Sequence, residues 1–140
     1  MTSPATPEAR MRIAKIIHGS LMAGVVLFLL VTAWVHRVTP PAPLPVSGPL
    51  LTYVGLGILA TMLLALRLLP GPDPGPAPGQ SPDQWWVTRQ ARLIVRWALL
   101  EGGCLVNGVV WFISRDRVPL VAAIAGLAVL LALRPSRYLE

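Results

Sequence analysis

Four long apolar segments, separated by polar or proline-rich stretches, make up most of the chain. A helix rises 1.5 Å per residue, so about 20 apolar residues cross the ~30 Å hydrocarbon layer of a bilayer. Three of the segments reach that length, and the fourth, with about sixteen residues, would be a short span. The pattern therefore predicts an all-α membrane protein with four transmembrane helices, at residues 13–35, 50–69, 93–114 and 118–133.

The polar stretches suggest how the spans are organised. A proline-rich loop joins the first two spans, and a Pro/Gly-rich linker, too poor in apolar residues to fold alone, separates them from the last two. Within that linker we expect Trp85 and Trp86 to begin a short interfacial helix. The predicted parts are an N-terminal tail (1–11), a first two-helix hairpin (12–69) with its loop (38–49), a cytoplasmic linker (70–87), a second two-helix hairpin (88–134) and a C-terminal tail (135–140).

Composition and charge agree with a membrane protein. Hydrophobic residues make up 54% of the chain and charged residues 13%, whereas soluble domains carry about 25% charged residues. The net charge of +6 comes from residues at the ends of segments rather than along one face, so we expect no nucleic-acid partner. Lys and Arg concentrate in the cytoplasmic loops of membrane proteins. The side of the membrane that carries more Lys and Arg residues is therefore predicted to be cytoplasmic, which places both termini on the cytoplasmic side of a bacterial-type inner membrane. One side would carry nine of them (Arg10, Arg12, Lys15, Arg67, Arg89, Arg92, Arg96, Arg134 and Arg137) and the other three (Arg37, Arg115 and Arg117).

The two predicted hairpins resemble each other weakly. At an offset of 78 residues, five positions coincide: Ile16, Leu21, Gly24, Leu27 and Val31 match Ile94, Leu99, Gly102, Leu105 and Val109. Residues 63–67 also match residues 130–134. Duplication of a hairpin would give a parallel repeat. Leucine-rich spans also match by chance, so duplication and shared composition both stay open.

Glu101 is the one acidic residue inside a predicted span, about nine residues, or roughly 13 Å, beyond Arg92. A carboxylate at that depth costs several kcal/mol, so it is expected to face protein or water. Two roles are open: binding a proton or cation, or hydrogen bonding to a neighbouring helix or subunit. His18 lies at a similar depth and could pair with Glu101 if the first and third spans touch. Asn107 is a further polar candidate that could bind an ion or join two helices.

Glycines and interfacial side chains supply the other candidate residues. Small residues let helices approach closely, and aromatic and basic residues favour the membrane–water interface. The candidate packing residues are Gly55, Gly57, Gly102, Gly103 and Gly108, and the candidate interfacial residues are Trp34, Trp85, Trp86, Arg89 and Arg92. Cys104 is the only cysteine, so the chain cannot form an internal disulfide or a Cys-rich metal site. Because no catalytic, phosphate-binding or metal-binding motif is recognisable, we expect no enzyme activity, metal or cofactor.

Residues 92–113, RLIVRWALLEGGCLVNGVVWFI, resemble the carboxylate-bearing helix of the rotor-ring proteolipids, subunit c of the F-type and V-type ATPases. In both, an alanine precedes a membrane-buried Glu by three residues and a Gly-Val-Val-like run follows it. Arg89-Gln90 is similar to the polar loop of those proteins, and Gly55-Leu56-Gly57 to their glycine-rich helix. The resemblance covers about a fifth of the chain and implies a homo-oligomeric ring in which Glu101 binds H⁺ or Na⁺.

These observations predict a small, non-enzymatic integral membrane subunit. It would assemble with itself or with other membrane proteins and offer Glu101 as a proton-binding or cation-binding carboxylate. One alternative is a purely structural accessory subunit of a larger membrane complex. A second is a small proton-coupled multidrug-type exporter, a class that also has four spans and one essential membrane Glu, although in its first span.

Overall fold

The computed structural model describes residues 6–40, 48–71 and 75–136. Within these ranges the chain is all-helical and forms four helices: α1 (Pro7–Val38), α2 (Gly48–Leu68), α3 (Pro82–Ser114) and α4 (Arg117–Ala132). Each predicted span corresponds to one helix. The predicted tails, the proline-rich loop and the linker lie partly outside the described residues, at 1–5, 137–140, 41–47 and 72–74.

Local capping signals start α1 and α3 well before the predicted spans. The Thr6 side chain caps α1 by accepting a hydrogen bond from the amide three residues on. Ser81 caps α3 in a reciprocal pair: its hydroxyl accepts from the amide of Gln84 at 3.2 Å, and the Gln84 side chain accepts from the Ser81 amide at 3.3 Å. A proline follows each cap, where its missing amide is tolerated. The predicted interfacial helix at Trp85 and Trp86 is thus continuous with the third span, and the linker ends at Ser81.

The early turns of α1 and α3 pack side by side. An ion pair joins Arg10 of α1 to Asp83 of α3, with 2.5 Å between Nη2 and Oδ1. Exposed pairs of this kind contribute little by themselves. Met11 and Trp86 pack against an adjoining apolar cluster, which gives both extensions a buried side. The fully or almost fully buried members of that cluster are Ala14, Leu93, Trp97, Leu100 and Leu130.

Three of the helices, α1, α2 and α3, are long and apolar enough to cross a membrane. The fourth, α4, is apolar but has only 16 residues. Large apolar side chains cover much of the outer surface: Leu27, Leu30 and Tyr53 are 63%, 62% and 72% exposed. Soluble monomers rarely expose apolar surface so extensively, and a surface of this kind suits contact with lipid.

The central helix of the structure is α3, which packs against α1, α2 and α4. Both α1 and α2 also touch α4, but they scarcely contact each other. The predicted first hairpin is therefore not a packed pair of helices in the described part of the chain, whereas α3 and α4 do pack closely. The hairpin duplication stays a hypothesis, since the two halves resemble each other in sequence but pack differently.

Candidate functional site

Glu101 lies where α3 crosses α1. Its side chain is half-buried, and a Cβ atom built on Gly24 of α1 would lie 3.6 Å from its Oε1 atom. Both residues fall near the middle of their predicted spans, so they meet near the expected midplane of the bilayer. Across residues 6–40, 48–71 and 75–136, the carboxylate has no hydrogen bond or ion pair. Its charge is therefore not balanced inside the described chain.

The Glu101 carboxylate lies between two sides of α3: one packs against other helices, and the other is open to the surroundings. Cys104, on the packed side, is fully buried, and its Sγ would lie 2.6 Å from a Cβ atom built on Gly126 of α4. On the open side, Ala98 is exposed and a Cβ atom built on Gly102 would meet nothing within 4 Å. Another molecule can therefore approach Glu101 from the open side.

His18 bonds to α4 in this structure rather than to Glu101. The ring is 6% exposed, and its Nε2 donates to the carbonyl oxygen of Leu130 at 2.9 Å, which requires the proton to lie on that nitrogen. Beside it, the indole of Trp97 donates to the carbonyl oxygen of Leu133 at 2.8 Å, and the two rings meet edge to face at 4.9 Å. The last carbonyls of a helix have no partner within it, and leaving them bare in an apolar setting costs several kcal/mol. His18 and Trp97 thus donate to two carbonyls at the end of α4, those of Leu130 and Leu133.

Asn107 joins α3 to α2. It is fully buried, and its Nδ2 donates to the carbonyl oxygens of Gly55 and Gly103, both at 2.9 Å. A Cβ atom built on Gly55 would lie 3.0 Å from its Oδ1, so a glycine at that position lets the amide approach. Six residues along a helix turn the direction of a side chain by about 240°, so Asn107 faces α2 while Glu101 faces α1. The three predicted ion-binding residues therefore face three different helices: Glu101 faces α1, His18 α4 and Asn107 α2.

The five predicted packing glycines divide into two groups. Gly55, Gly103 and Gly108 lie at helix crossings: a Cβ atom on Gly103 would be 2.9 Å from Leu59 Cδ1, and one on Gly108 2.8 Å from Phe28 Cε1. Gly57 and Gly102 face outward, where an added Cβ would meet no atom within 4 Å. The first group holds the bundle together, and the second is left on its surface.

The predicted interfacial residues lie near the helix ends. Trp34 is 63% exposed near the end of α1. At the start of α3, the half-buried rings of Trp85 and Trp86 meet edge to face at 5.5 Å, and the Arg89 guanidinium lies 4.8 Å from the centroid of the Trp85 ring. Arg92 is half-buried one turn further along α3. These positions suit side chains at a membrane–water boundary.

Arg96 has a role that sequence reasoning missed. A basic residue near the start of a span is usually taken to extend toward the lipid headgroups. Here its Nη2 donates to the carbonyl oxygens of Leu66 at 3.3 Å and Leu69 at 2.9 Å, at the end of α2. The guanidinium thus supplies donors to backbone groups that α2 leaves unsatisfied.

At the opposite end of the bundle from Arg96, hydrogen bonds join the end of α1 to the connection between α3 and α4. Arg115, in the left-handed region with φ of 56°, donates through its guanidinium to the carbonyls of His36 and Thr39. His36 Nε2 in turn lies 3.0 Å from the carbonyl oxygen of Phe112, and the His36 ring meets Trp111 edge to face. This network fixes the end of α1 against α3.

Asp116 joins the same connection to α2. Its Oδ1 accepts a hydrogen bond from the Val118 amide at 3.1 Å and so caps α4, while its Oδ2 accepts from the Thr52 hydroxyl at 2.8 Å. The backbone hydrogen bond from Val118, followed by that from Thr52, lowers the pKa of the Asp116 carboxyl below its usual value.

This lowered pKa predicts an acid-sensitive contribution to stability. Because the ionised form is favoured in the folded protein, the contribution is complete above the ordinary pKa of an aspartate. It is lost as the pH falls through the lowered value. We expect the unfolding midpoint of the wild type to fall more steeply between pH 7 and pH 3 than that of Asp116→Asn, with Thr52→Val intermediate. Equal slopes for wild type and Asp116→Asn would contradict this.

Comparison of the chain with protein-family models, with curated proteins and with solved structures finds no match in any of the three. The resemblance to rotor-ring proteolipids stays a hypothesis carried by residues 92–113. Glu101 is therefore the residue whose chemistry and placement bear on function.

Proposed function

We propose that the chain is a four-span integral membrane protein with both termini in the cytoplasm. It works as a non-enzymatic subunit of a membrane assembly in which Glu101 binds a proton or cation. One observation carries this proposal: a half-buried carboxylate near the expected midplane, without a hydrogen bond or ion pair to the described residues. Such a group is costly unless a proton, a cation or a donor from another chain neutralises it.

Membrane insertion is supported by the character of the helices. Three helices could each cross a bilayer, and α4, which is shorter, carries charged residues at or beyond its ends rather than within its apolar run. With four antiparallel helices, the ends of α2 and α4 lie on the same side as the starts of α1 and α3. That side carries most of the described Lys and Arg residues, which favours a cytoplasmic location for it.

Assembly is supported by the side of α3 on which Glu101 lies. Leu105, one turn further along, is half-buried, and Phe112 of the same helix is 45% exposed. Residues four and eleven positions apart lie on one stripe of a helix, so the carboxylate sits within an apolar surface that another helix could cover. A second copy of the chain or another membrane subunit at this stripe would enclose the Glu101 site.

The alternative of a structural accessory subunit is also compatible with this placement. In such a subunit, Glu101 would form one hydrogen bond with a neighbouring subunit, as donor or acceptor, without binding an ion. A Gln side chain could make most of the same contact. Since Gln is neutral and would cost less to bury, the presence of Glu favours the ion-binding proposal.

A membrane-permeant carbodiimide tests the proposal, because it modifies protonated carboxyl groups. In the full chain in native membranes, we expect labelling of Glu101 at neutral pH, protection of Glu101 by Na⁺ if it binds a cation, and loss of the label in Glu101→Gln. Glu8→Gln is the matched control, because Glu8 is exposed in the first turn of α1, and it should leave the label unchanged.

Two outcomes separate the alternatives. If Glu101 resists labelling from pH 5 to pH 8 while Glu101→Gln keeps the native oligomer, the residue is structural and the ion-binding proposal is wrong. A wild-type chain that native mass spectrometry shows to be monomeric in gentle detergent would contradict assembly through this stripe.

A further inference from the structure

Two adjoining cavities open between α2 and α3, and one of them reaches the open side of α3 beside Glu101, at Ala98 and Gly102. The first, about 290 Å³, is lined by Leu69, Pro70, Ala91, Arg92, Val95 and Arg96. The second, about 270 Å³, is lined by Met62, Val95, Ala98, Leu99 and Gly102. Val95 lines both cavities, so together they form one elongated groove. We propose that this groove binds a single anionic phospholipid, with the phosphate against the two arginines and an acyl chain along the apolar half.

The polar end of the groove has the chemistry of an anion site. Arg92 and Arg96 are four residues apart on α3, so they lie on the same side of the helix. The bonds from Arg96 to the end of α2 hold its guanidinium in place, and its Nε is buried without a hydrogen-bond partner. Among the described residues that line the two cavities, none is acidic. A phosphate oxygen at this end of the groove would accept charge-assisted hydrogen bonds from arginine guanidinium groups.

The length of the groove selects an amphiphile rather than a free anion. From Arg92 to Gly102 is ten residues, or about 15 Å of helix, which is half the ~30 Å thickness of the hydrocarbon layer. The lining therefore spans one leaflet, from the headgroup level to the midplane of the bilayer. Beyond the arginines the lining side chains are apolar, and the absence of a side chain at Gly102 leaves space for a methylene chain. The inference rests on the membrane insertion proposed above but not on ion binding by Glu101.

Native mass spectrometry of the full chain in a neutral detergent tests the site. Phosphatidylglycerol and phosphatidylcholine are titrated separately, and bound lipid is counted. We expect one retained phosphatidylglycerol, with affinity at least about tenfold above that for phosphatidylcholine, as a charge-assisted contact predicts. The double variant Arg92→Gln/Arg96→Gln should lose this preference. Arg12→Gln removes an exposed charge at the same end and should change the affinity less than about threefold.

A second variant is needed because Arg96 binds the end of α2, so the double variant could weaken lipid binding by disturbing that helix. Gly102→Leu keeps both arginines and fills the apolar half of the groove, so it should weaken binding of both lipids by about tenfold. Equal binding of the two lipids by the wild type would overturn the proposal, as would an Arg12→Gln effect matching that of the double variant. Unchanged phosphatidylglycerol binding by Gly102→Leu would show that only the basic surface attracts lipid. A crosslink from Ala98→Cys to a second copy, without retained lipid, would make the groove a protein contact and also overturn it.

Discussion

Replacing Gly103 by leucine is expected to lower the free energy of unfolding by about 3 kcal/mol, the upper end of the usual cost of overpacking. The reason is steric. A Cβ atom at this position would lie 2.9 Å from Leu59 Cδ1 and 3.7 Å from Leu59 Cα. The Leu59 side chain can turn aside for one methyl group, but a whole leucine side chain must push α2 away from α3. Equilibrium unfolding in mixed detergent micelles measures the loss.

The adjacent residue provides the matched control. Gly102→Leu makes the same chemical change one position along the helix, where a Cβ atom meets nothing within 4 Å. Leucine favours helix over glycine by up to about 1 kcal/mol, so the stability of Gly102→Leu should be unchanged or slightly higher. If both variants lost stability equally, α2 and α3 would not cross at Gly103.

Asn107→Asp is expected to cost at least about 2 kcal/mol, although the two side chains have nearly the same shape. The amide nitrogen of Asn107 lies 2.9 Å from two carbonyl oxygens, those of Gly55 and Gly103. An ionised Asp would bring a third oxygen against them, and a protonated Asp could donate to only one. The variant therefore leaves a buried acceptor unsatisfied between α2 and α3.

Asn107→Leu separates this electrostatic cost from the simple loss of a hydrogen bond. It removes the interhelical bond, a contact worth about 0.6–1.7 kcal/mol in membrane proteins, and also removes the buried Oδ1, which has no partner. We expect it to be less destabilising than Asn107→Asp in the same unfolding assay. A greater loss for Asn107→Leu would mean that packing against Gly55, rather than hydrogen bonding, dominates at this site.

The positions of the helices could be predicted from the sequence because hydropathy is a local property. Residues 13–35 and 93–114 each fall inside one helix. Helix starts are also encoded locally, in the Ser81 and Gln84 pair and in Thr6, but hydropathy does not report them, so α1 and α3 begin before the predicted spans. The identification of Asn107 as a residue able to bond across helices is confirmed by its contact with Gly55.

Which helices pack together could not be predicted, because packing depends on which face of each helix meets a neighbour, and hydropathy is similar on all faces of a membrane span. Gly102 and Gly103 are indistinguishable in sequence, yet one is on the surface and the other at a crossing. The same limit explains His18, Trp97 and Arg96. Each donates to a backbone carbonyl at the end of a helix distant in the chain. Because every residue has such a carbonyl, the sequence does not show which one will accept the bond.

The central position of α3 also bears on how the protein is made. Because α1 and α2 pack on α3 and scarcely on each other, a nascent chain that has inserted only its first two helices has no packed pair in the membrane. During that interval the carbonyl of Gly55 lacks its interhelical donor and the end of α2 lacks Arg96. Translation of about 45 further residues, through Ser114, must precede any stable helix contact for α1 or α2. The packing of α1 and α2 therefore waits until the third helix emerges from the ribosome and enters the bilayer.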